Sequence, residues 1–231
     1  RFADPLLRLA IELTVDRQRI AAALFGGRAL VPRSYLVAPG WAATDVGAGP
    51  GTDRERARAL LQAAGYRRGT FGILEHDGDR FAVSIVVAAG SPARTEAARM
   101  VAGDLAALGI AAEVRELAAE PSATTLAAGA FDLAITTDDV SDPQRATDGY
   151  RGVAGPWFDT LARAAAAGAD RPEKRLVYGE LERVWNDARP ALPLYQRLLV
   201  DVAPRSLTGV EPASNGSPLT WNAREWRFVT P

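Results

Sequence analysis

Strand-like and helix-like segments alternate through the middle of this chain, and that alternation limits the fold more than any other feature. Residues 81–87 and 110–114 show the two-residue periodicity of β-strands, and residues 91–109 between them carry the apolar face of a helix. A short helix around residues 122–128 then leads to an apolar run from residue 131, of the length that a buried strand uses. Strands joined by single helices through short links predict a βαβ layer, and so an α/β chain with a sheet flanked by helices.

The third predicted strand ends in an acidic stretch. Pro143 cannot donate a backbone hydrogen bond and biases the residue before it away from a helix, so the strand is expected to deliver Asp138, Asp139 and Asp142 to one edge of the sheet. Ligands of open α/β sheets bind at the carboxyl ends of strands, and a carboxylate in a closed cleft forms a charge-assisted hydrogen bond to an ammonium group. The alternative is that these aspartates are turn and cap residues.

Aromatic residues are candidates for the wall of a ligand cleft, because ligand pockets are mostly apolar and aromatic. Trp41 lies in a long irregular loop and Trp157 follows a glycine-rich loop, so we predict that both contact a ligand. Phe158 and Trp185 lie at helical spacing with other apolar residues, and we expect both in the core.

Local signals set several boundaries. Thr52 and Glu55 have the spacing of a capping box, with Thr52 as the helix cap. Asp77-Gly78 predicts a hairpin between residues 71–75 and 81–87. A later helix is expected to bury one side, formed by Leu176, Val177, Leu181, Val184 and Trp185.

The composition excludes several kinds of site. The chain has no Cys and one His, His76, so disulfides, thiolate metal sites, cysteine nucleophiles and sites that need two histidines cannot be built. His76 lies beside a hairpin signal, where a solvated side chain is expected. For an enzyme only carboxylate chemistry in the acidic stretch is left, without a catalytic motif, so we expect no enzyme and no cofactor or metal. The net charge of -1 favours neither nucleic acid nor an anionic membrane surface.

Four blocks of the chain have a recognisable order and spacing. The blocks are residues 8–20 with Gly26-Gly27, residues 56–66, residues 98–110 with Phe131-Asp132, and the short runs 158–161, 176–180 and 191–195. Each block is weak by itself, but the order and spacing are fairly specific and cover nearly the whole chain. Together they resemble the extracytoplasmic solute-binding proteins of family 5, the peptide and nickel type that serve ABC importers.

The resemblance implies that the chain is the carboxyl-terminal half of a longer receptor with a periplasmic-binding-protein-like type II fold. Residues 1–193 would form one α/β lobe with a mixed sheet, and residues 194–231 would return toward an amino-terminal lobe that is missing here. Receptors of this family close around a ligand by a hinge motion. The resemblance also implies a location at the cell surface or in the periplasm, a lipid anchor outside these residues, and an ABC importer permease as partner.

In peptide binders of this family, an aspartate in the loop after the corresponding strand pairs with the amino terminus of the ligand. Its offset from the Asp-Pro pair matches Asp139, and Asp142 is the other candidate. The resemblance therefore implies a small, peptide-like ligand. The sequence departs from the peptide binders at Thr136-Thr137, where they carry an aromatic residue. The alternative is an actinobacterial lipoprotein branch of the same fold that binds or regulates a cell-envelope glycolipid and does not transport.

Overall fold

A computed structural model describes residues 2–37, 40–45, 50–197, 202–211 and 219–229 of the chain. The chain divides into two compact units. The first unit comprises Arg1–Val31, Ala48–Asp138 and Ala191–Tyr195, and the second comprises Pro32–Gly47, Asp139–Pro190 and Gln196–Pro231. The division between a lobe of residues 1–193 and a return segment of residues 194–231 stays a prediction. Of that segment, residues 198–201, 212–218 and 230–231 lie outside the described part of the chain.

The first unit consists of helices and short strands in alternation. Its helices are α1 (Pro5–Thr14), α2 (Arg17–Phe25), α3 (Arg54–Ala63), α4 (Pro92–Leu108) and α5 (Ala119–Ala127). Its strands are β1 (Arg67–Arg68), β2 (Leu74–His76), β3 (Asp79–Arg80), β4 (Ala82–Ala88), β5 (Ala111–Leu117) and β6 (Leu133–Ile135). The predicted α/β fold class is confirmed. The parallel and antiparallel strands lie in separate sheets, in the orders β5-β4-β6 and β1-β2-β3, and not in one mixed sheet.

β4 is the central strand of the parallel sheet. Ile85 of β4 lies opposite Val114 of β5 on one side and Leu133 of β6 on the other. Ile85, Val86 and Val87 are all buried, although neighbouring residues of a strand face opposite sides of the sheet. Burial on both faces is typical of a central strand in a parallel sheet that helices cover.

The strand predicted to begin at Phe131 is shorter and less buried than expected. β6 begins at Leu133, lies at the edge of the sheet, and has three half-buried residues. Asp132 does not extend the strand, because its carboxylate accepts hydrogen bonds from the backbone N–H (2.8 Å) and the hydroxyl (3.0 Å) of Ser84. The acidic stretch therefore follows an edge strand and not a buried one.

Two of the predicted local boundaries need correction. The turn at Asp77-Gly78 is confirmed, and both residues have the positive φ (53° and 87°) that a two-residue hairpin requires. Its second strand is β3, however, and residues 82–88 belong to the parallel sheet. The cap of α3 is Asp53 and not Thr52, because the Asp53 carboxylate accepts the N–H of Arg56 at 2.9 Å.

A buried carboxylate connects three helices of the first unit. Asp104 of α4 is 3% exposed and accepts hydrogen bonds from the guanidinium groups of Arg19 (2.8 Å) and Arg54 (2.6 Å). It also accepts the backbone N–H of Asp16 at 3.0 Å. Because Arg19 lies on α2 and Arg54 begins α3, both helices are fixed against the helix that connects β4 to β5.

The second unit is mainly helical. It contains α6 (Pro143–Asp148), α7 (Pro156–Ala167) and α8 (Arg171–Ala188), with a short antiparallel pair of β7 (Leu207–Thr208) and β8 (Arg227–Phe228). Phe158 and Trp185 lie in its core, as predicted. Leu176, predicted to be buried, is 78% exposed, because it lies about 200° around α8 from the buried Tyr178. The buried side of α8 consists of Tyr178, Leu181, Glu182 and Trp185.

Candidate functional site

Asp139 is an exposed carboxylate whose two oxygens have different partners. Oδ1 accepts hydrogen bonds from the hydroxyl of Ser141 at 2.6 Å and from its backbone N–H at 3.0 Å. Oδ2 lies 3.6 Å from a guanidinium nitrogen of Arg145, and the side chain of Asp139 is 55% exposed. The carboxylate is therefore held in one orientation while it stays open to solvent.

The contacts of Asp139 favour its ionised form. The hydrogen bond from the Ser141 hydroxyl, then that from its backbone N–H, lowers the pKa of the Asp139 carboxyl below its ordinary value, with a smaller contribution from the charge of Arg145. A hydrogen bond to the charged form stabilises that form, so Asp139 carries its negative charge throughout the neutral range. Such a carboxylate can accept a charge-assisted hydrogen bond from an ammonium group.

Asp142 caps the helix that follows. Its Oδ1 accepts the backbone N–H groups of Gln144 at 2.8 Å and Arg145 at 3.1 Å, and Pro143 occupies the first helical position. The cap role that was the alternative for this aspartate is therefore present in the structure. A ligand contact by Asp142 stays a prediction.

Asp138 belongs to the first unit and follows the carboxyl end of β6. The connection from β4 leads to β5 on one side, and β6 then returns to the other side of β4. The carboxyl ends of β4 and β6 therefore flank the point where the strand order reverses, which is where open α/β sheets bind ligands. Thr136, Thr137 and Asp138 are exposed after β6. The ligand role of Asp138 stays a prediction.

Trp157 projects from the first turn of α7. Its side chain is 57% exposed, whereas the next residue, Phe158, is fully buried and fixes the helix on the core. The carboxylate of Asp159 accepts the N–H of Gly152 at 2.9 Å and so fastens the preceding loop to the helix. A large exposed indole on a well-packed helix start offers an apolar face to a ligand at little cost in side-chain ordering.

Trp41 lies half-buried in the second unit. Its ring packs edge-to-face on Tyr178 of α8 with centroids 5.6 Å apart, and the guanidinium of Arg171 lies 5.4 Å from the centre of the Trp41 ring. Burial, followed by the charges of Asp142 and Asp148, raises the pKa of the Tyr178 phenol to about 12, so the phenol is neutral.

The structure brings four of the five predicted site residues into the second unit. Arg145 connects two of them, because it pairs with Asp139 and lies on the helix that Asp142 caps. Val140 and Trp41 pack against the same core that contains Phe158, the neighbour of Trp157. The fifth residue, Asp138, belongs to the first unit. Their action on one common ligand stays a prediction.

Sequence reasoning missed Arg145 and Glu182. Arg145 is exposed and nothing in its local pattern distinguishes it, so its pairing with Asp139 follows only from the fold. Glu182 is fully buried on the apolar side of α8, and its Oε2 accepts hydrogen bonds from the N–H (2.8 Å) and the hydroxyl of Thr44. The available signal was a carboxylate four residues after Tyr178 and three before Trp185, on the face that should be apolar.

The described residues offer neither a metal site nor a membrane-spanning helix. No three of the His, Asp and Glu side chains in the described ranges are placed to hold a metal ion. None of the helices in those ranges has the length and apolar character that a membrane crossing requires. His76 is 43% exposed, with Nδ1 at 3.2 Å from Asp77, and it borders a first-unit cavity of about 370 Å³ with Tyr66 and Asp79. No predicted site residue lines that cavity.

Comparison with known proteins gives one family match and one related sequence. Residues 1–156 match the family model described as bacterial extracellular solute-binding proteins, family 5 middle. The chain is 26% identical over 176 residues to di/tripeptide-binding protein 2 of Pseudomonas aeruginosa strain UCBPP-PA14, an alignment that covers 68% of this chain and 31% of that protein.

Solved structures share the fold along nearly the whole chain. The oligopeptide-binding protein AppA from Bacillus subtilis, in complex with a nonapeptide, has a TM-score of 0.77 and 19% identity over 99% of this chain. The mannohexaose-bound periplasmic oligopeptide-binding protein from Thermotoga maritima has a TM-score of 0.79 and 19% identity over 96% of this chain. NikZ from Campylobacter jejuni, in complex with Ni(L-His), has a TM-score of 0.70 and 19% identity over 96%.

The chain spans only part of these proteins, 48% of AppA, 47% of the Thermotoga protein and 48% of NikZ. The family model nevertheless matches more than half of this chain, in the part that carries the parallel sheet and the acidic stretch. The chain therefore belongs to family 5 of the bacterial extracellular solute-binding proteins.

Proposed function

We propose that this chain is part of an extracytoplasmic receptor that captures a small, peptide-like ligand between two lobes and presents it to the permease of an ABC importer. Membership of the solute-binding family supports the receptor role. The related proteins whose names mention peptides support the ligand class: one binds di- and tripeptides, and another was solved with a nonapeptide. A receptor needs no catalytic group, so we propose a binding function and no reaction.

The observation that carries the proposal is the charge, orientation and exposure of the Asp139 carboxylate. This carboxylate is ionised, oriented by Ser141 and exposed to solvent, which are the properties needed to receive the amino terminus of a peptide. The guanidinium of Arg145, 3.6 Å from Oδ2, neutralises part of its charge. Trp41 and Trp157 supply apolar faces for the side chains of the ligand, and Asp142 and Asp138 supply further negative charge.

The arrangement of the whole receptor is part of the same proposal. Residues 1–193 act as one lobe, residues 194–231 return toward an amino-terminal lobe, and a hinge motion closes the two lobes on the ligand. A lipid anchor outside these residues holds the receptor at the membrane surface. The solved relatives are about twice as long as this chain, which supports a second lobe in the receptor.

Thermal unfolding tests the proposal with the gene product that carries this chain. A ligand that binds only the folded state stabilises it by about 2.7 kcal/mol at a hundredfold excess over its Kd. We expect a rise in Tm with di- and tripeptides in a panel that also contains mannohexaose and Ni(L-His). Asp139→Asn should reduce the peptide-induced rise, and Asp187→Asn, at an exposed position on α8, should not. No shift with any peptide, beside a clear shift with the oligosaccharide, would overturn the assigned ligand class.

A further inference from the structure

One side of α8 contacts three residues of the segment 32–45, Tyr35, Trp41 and Thr44, at successive points. Trp185 packs against Tyr35 with ring centroids 5.5 Å apart, and Tyr178 packs against Trp41 at 5.6 Å. Between them on the same side lies Glu182, which is fully buried. These three residues of α8 are spaced by four and three positions, so they form one stripe along the helix.

The contact of Glu182 is polar, whereas the other two are aromatic. Its Oε2 accepts both the backbone N–H and the side-chain hydroxyl of Thr44, so a single acceptor fixes the backbone and the side chain of one residue. Burying a carboxyl group in an apolar core is costly unless its hydrogen bonds are made. An apolar residue at this position would pack without that cost. The presence of a carboxyl group at Glu182 therefore points to a role beyond filling the core.

The anchored residue lies close to Trp41 along the chain. Ala42 between them is buried, and the N–H of Ala43 closes a turn on the carbonyl of Gly40 at 3.1 Å. This short, folded connection gives Trp41 little freedom of its own once Thr44 is fixed. The position of the indole therefore depends on its own contacts with Arg171 and Tyr178 of α8 and, through Thr44, on Glu182.

We infer that Glu182 is a positioning residue, whose Oε2 holds Thr44 on α8 and thereby sets the orientation of Trp41. The inference rests on the proposed function in one respect, since Trp41 is a proposed ligand contact. The acceptor oxygen performs the role in both protonation states, because the proton of a neutral carboxyl can reside on Oε1 and leave Oε2 to accept from Thr44. A glutamine keeps one acceptor oxygen and should replace Glu182, whereas an alanine should not.

The groups that act on Glu182 are the hydrogen-bond donors Thr44 and Ser34 and the phenol of Tyr35, and all of them are neutral. The Tyr35 phenol, from the segment of residues 32–45, interacts with it electrostatically, and burial raises the pKa of that phenol. Tyr178 on α8 acts on Tyr35, and Asp142 and Asp148 at the two ends of α6 act on Tyr178. From α7 the core receives Phe158, Ala162 and Ala165, which do not titrate.

Fluorine NMR of the gene product that carries this chain, labelled with 5-fluorotryptophan, tests the inference without a ligand. The chain has five tryptophans, and Trp41→Phe assigns the resonance of Trp41. In Glu182→Ala we expect the Trp41 resonance to shift toward that of free 5-fluorotryptophan and to gain a larger H₂O/D₂O isotope shift. The Trp185 resonance should stay in place. Glu182→Gln should restore the wild-type resonance of Trp41.

Two further variants keep the test decisive. Thr44→Val removes the hydroxyl donor without opening the core, and it should shift the Trp41 resonance in the same direction by a smaller amount. Glu180→Ala, at an exposed position one residue from Leu181 on α8, is the matched control and should change nothing. An unchanged Trp41 resonance in both Glu182→Ala and Thr44→Val would overturn the inference. So would a joint shift of Trp41 and Trp185 in both variants, since that indicates general loosening of the core.

Discussion

Hydrogen bonds, and not burial, lower the pKa of the Asp139 carboxyl. The donors that hold it both come from Ser141, two residues away, so the loop itself sets the chemistry of the carboxylate. A group of this kind differs from a buried catalytic acid, whose pKa rises because charge is disfavoured in an apolar site. The surroundings of Asp139 therefore favour recognition of a positively charged group at this position.

Replacing Ser141 should raise the pKa of Asp139. In Ser141→Ala the hydroxyl donor is lost, which leaves the backbone N–H and the charge of Arg145 to stabilise the carboxylate. We expect the NMR titration midpoint of the Asp139 side chain to move up toward the ordinary aspartate value of about 3.9. Because the folded-state pKa of Asp139 is lowered, its contribution to stability is present above the unfolded-state pKa and is lost as the pH falls through the folded-state value. A midpoint that does not move would contradict the assigned cause.

Glu182 shows the opposite dependence of stability on pH. Burial raises the pKa of its carboxyl in the folded state, and hydrogen bonds from Thr44 and Ser34 offset that rise in part. A raised pKa means that the folded state binds the proton more tightly than the unfolded state, so stability falls as the pH rises through the folded-state value.

Glu182→Gln removes this titration while it keeps an acceptor oxygen. We expect the Tm of the variant relative to the wild type to increase as the pH rises from below about 4.3, the ordinary glutamate value, through the raised folded-state pKa. Differential scanning calorimetry across that range measures the difference. A Tm difference that is flat or falls with pH would show that ionisation of Glu182 does not destabilise the folded state.

At the scale of elements, the end of α4 depends on a glycine. Gly109 follows the helix with φ of 99°, and its carbonyl accepts the N–H of Leu74 at 2.7 Å. A Cβ at this position would lie 2.9 Å from the backbone carbonyl oxygen of Gly72, which cannot rotate away. The helix end is thereby packed directly against the segment that leads into β2.

Two glycine substitutions on the same helix should have opposite signs. We expect Gly109→Ala to lower the free energy of unfolding by about 2 kcal/mol or more, because it combines an unfavourable φ with a backbone clash. Gly103→Ala, inside α4 with open space around its Cβ position, should raise it by about 0.5–1 kcal/mol. Urea unfolding measures both values, and a neutral Gly109→Ala would contradict the packing of this helix end.

The sequence predicts elements well where the signal is local. The α4 helix, from its Pro92 start to the Gly109 stop, and the turn at Asp77-Gly78 follow from capping and turn chemistry that neighbouring residues determine. The position of β6 at the sheet edge does not follow from local chemistry, because strand order depends on contacts between distant segments. The bond between Asp132 and Ser84, 48 residues apart, has no local signal at all.

The candidate site, like the fold, could be predicted only where the signal is local. The acidic stretch and the exposed tryptophan at residue 157 were available from sequence pattern and family resemblance. The pairing of Arg145 with Asp139 and the anchoring of Thr44 by Glu182 were not, since each depends on how helices pack. Glu182 in particular breaks the apolar pattern of its helix, and such conflicts between local pattern and burial are expected at positions with a special role.

At the scale of the whole molecule, the two units divide the predicted site residues between them. The first unit supplies the parallel sheet and Asp138 at the carboxyl end of β6, and the second supplies Asp139, Asp142 and the two tryptophans. In the proposed receptor, enclosure of the ligand would remove water from its polar contacts. The charge of Asp139 should then contribute far more to the binding free energy with the ligand enclosed than in the open, solvated state.

Isothermal titration calorimetry of a ligand-and-mutant cycle tests the central claim most directly. The gene product that carries this chain and its Asp139→Asn variant are each titrated with trialanine and with N-acetyl-trialanine, which lacks the ammonium group. We predict that acetylation weakens binding to the wild type by about 2 kcal/mol, or about thirtyfold in Kd, and weakens binding to the variant much less. An equal loss in both proteins would contradict the pairing of Asp139 with the amino terminus of a peptide.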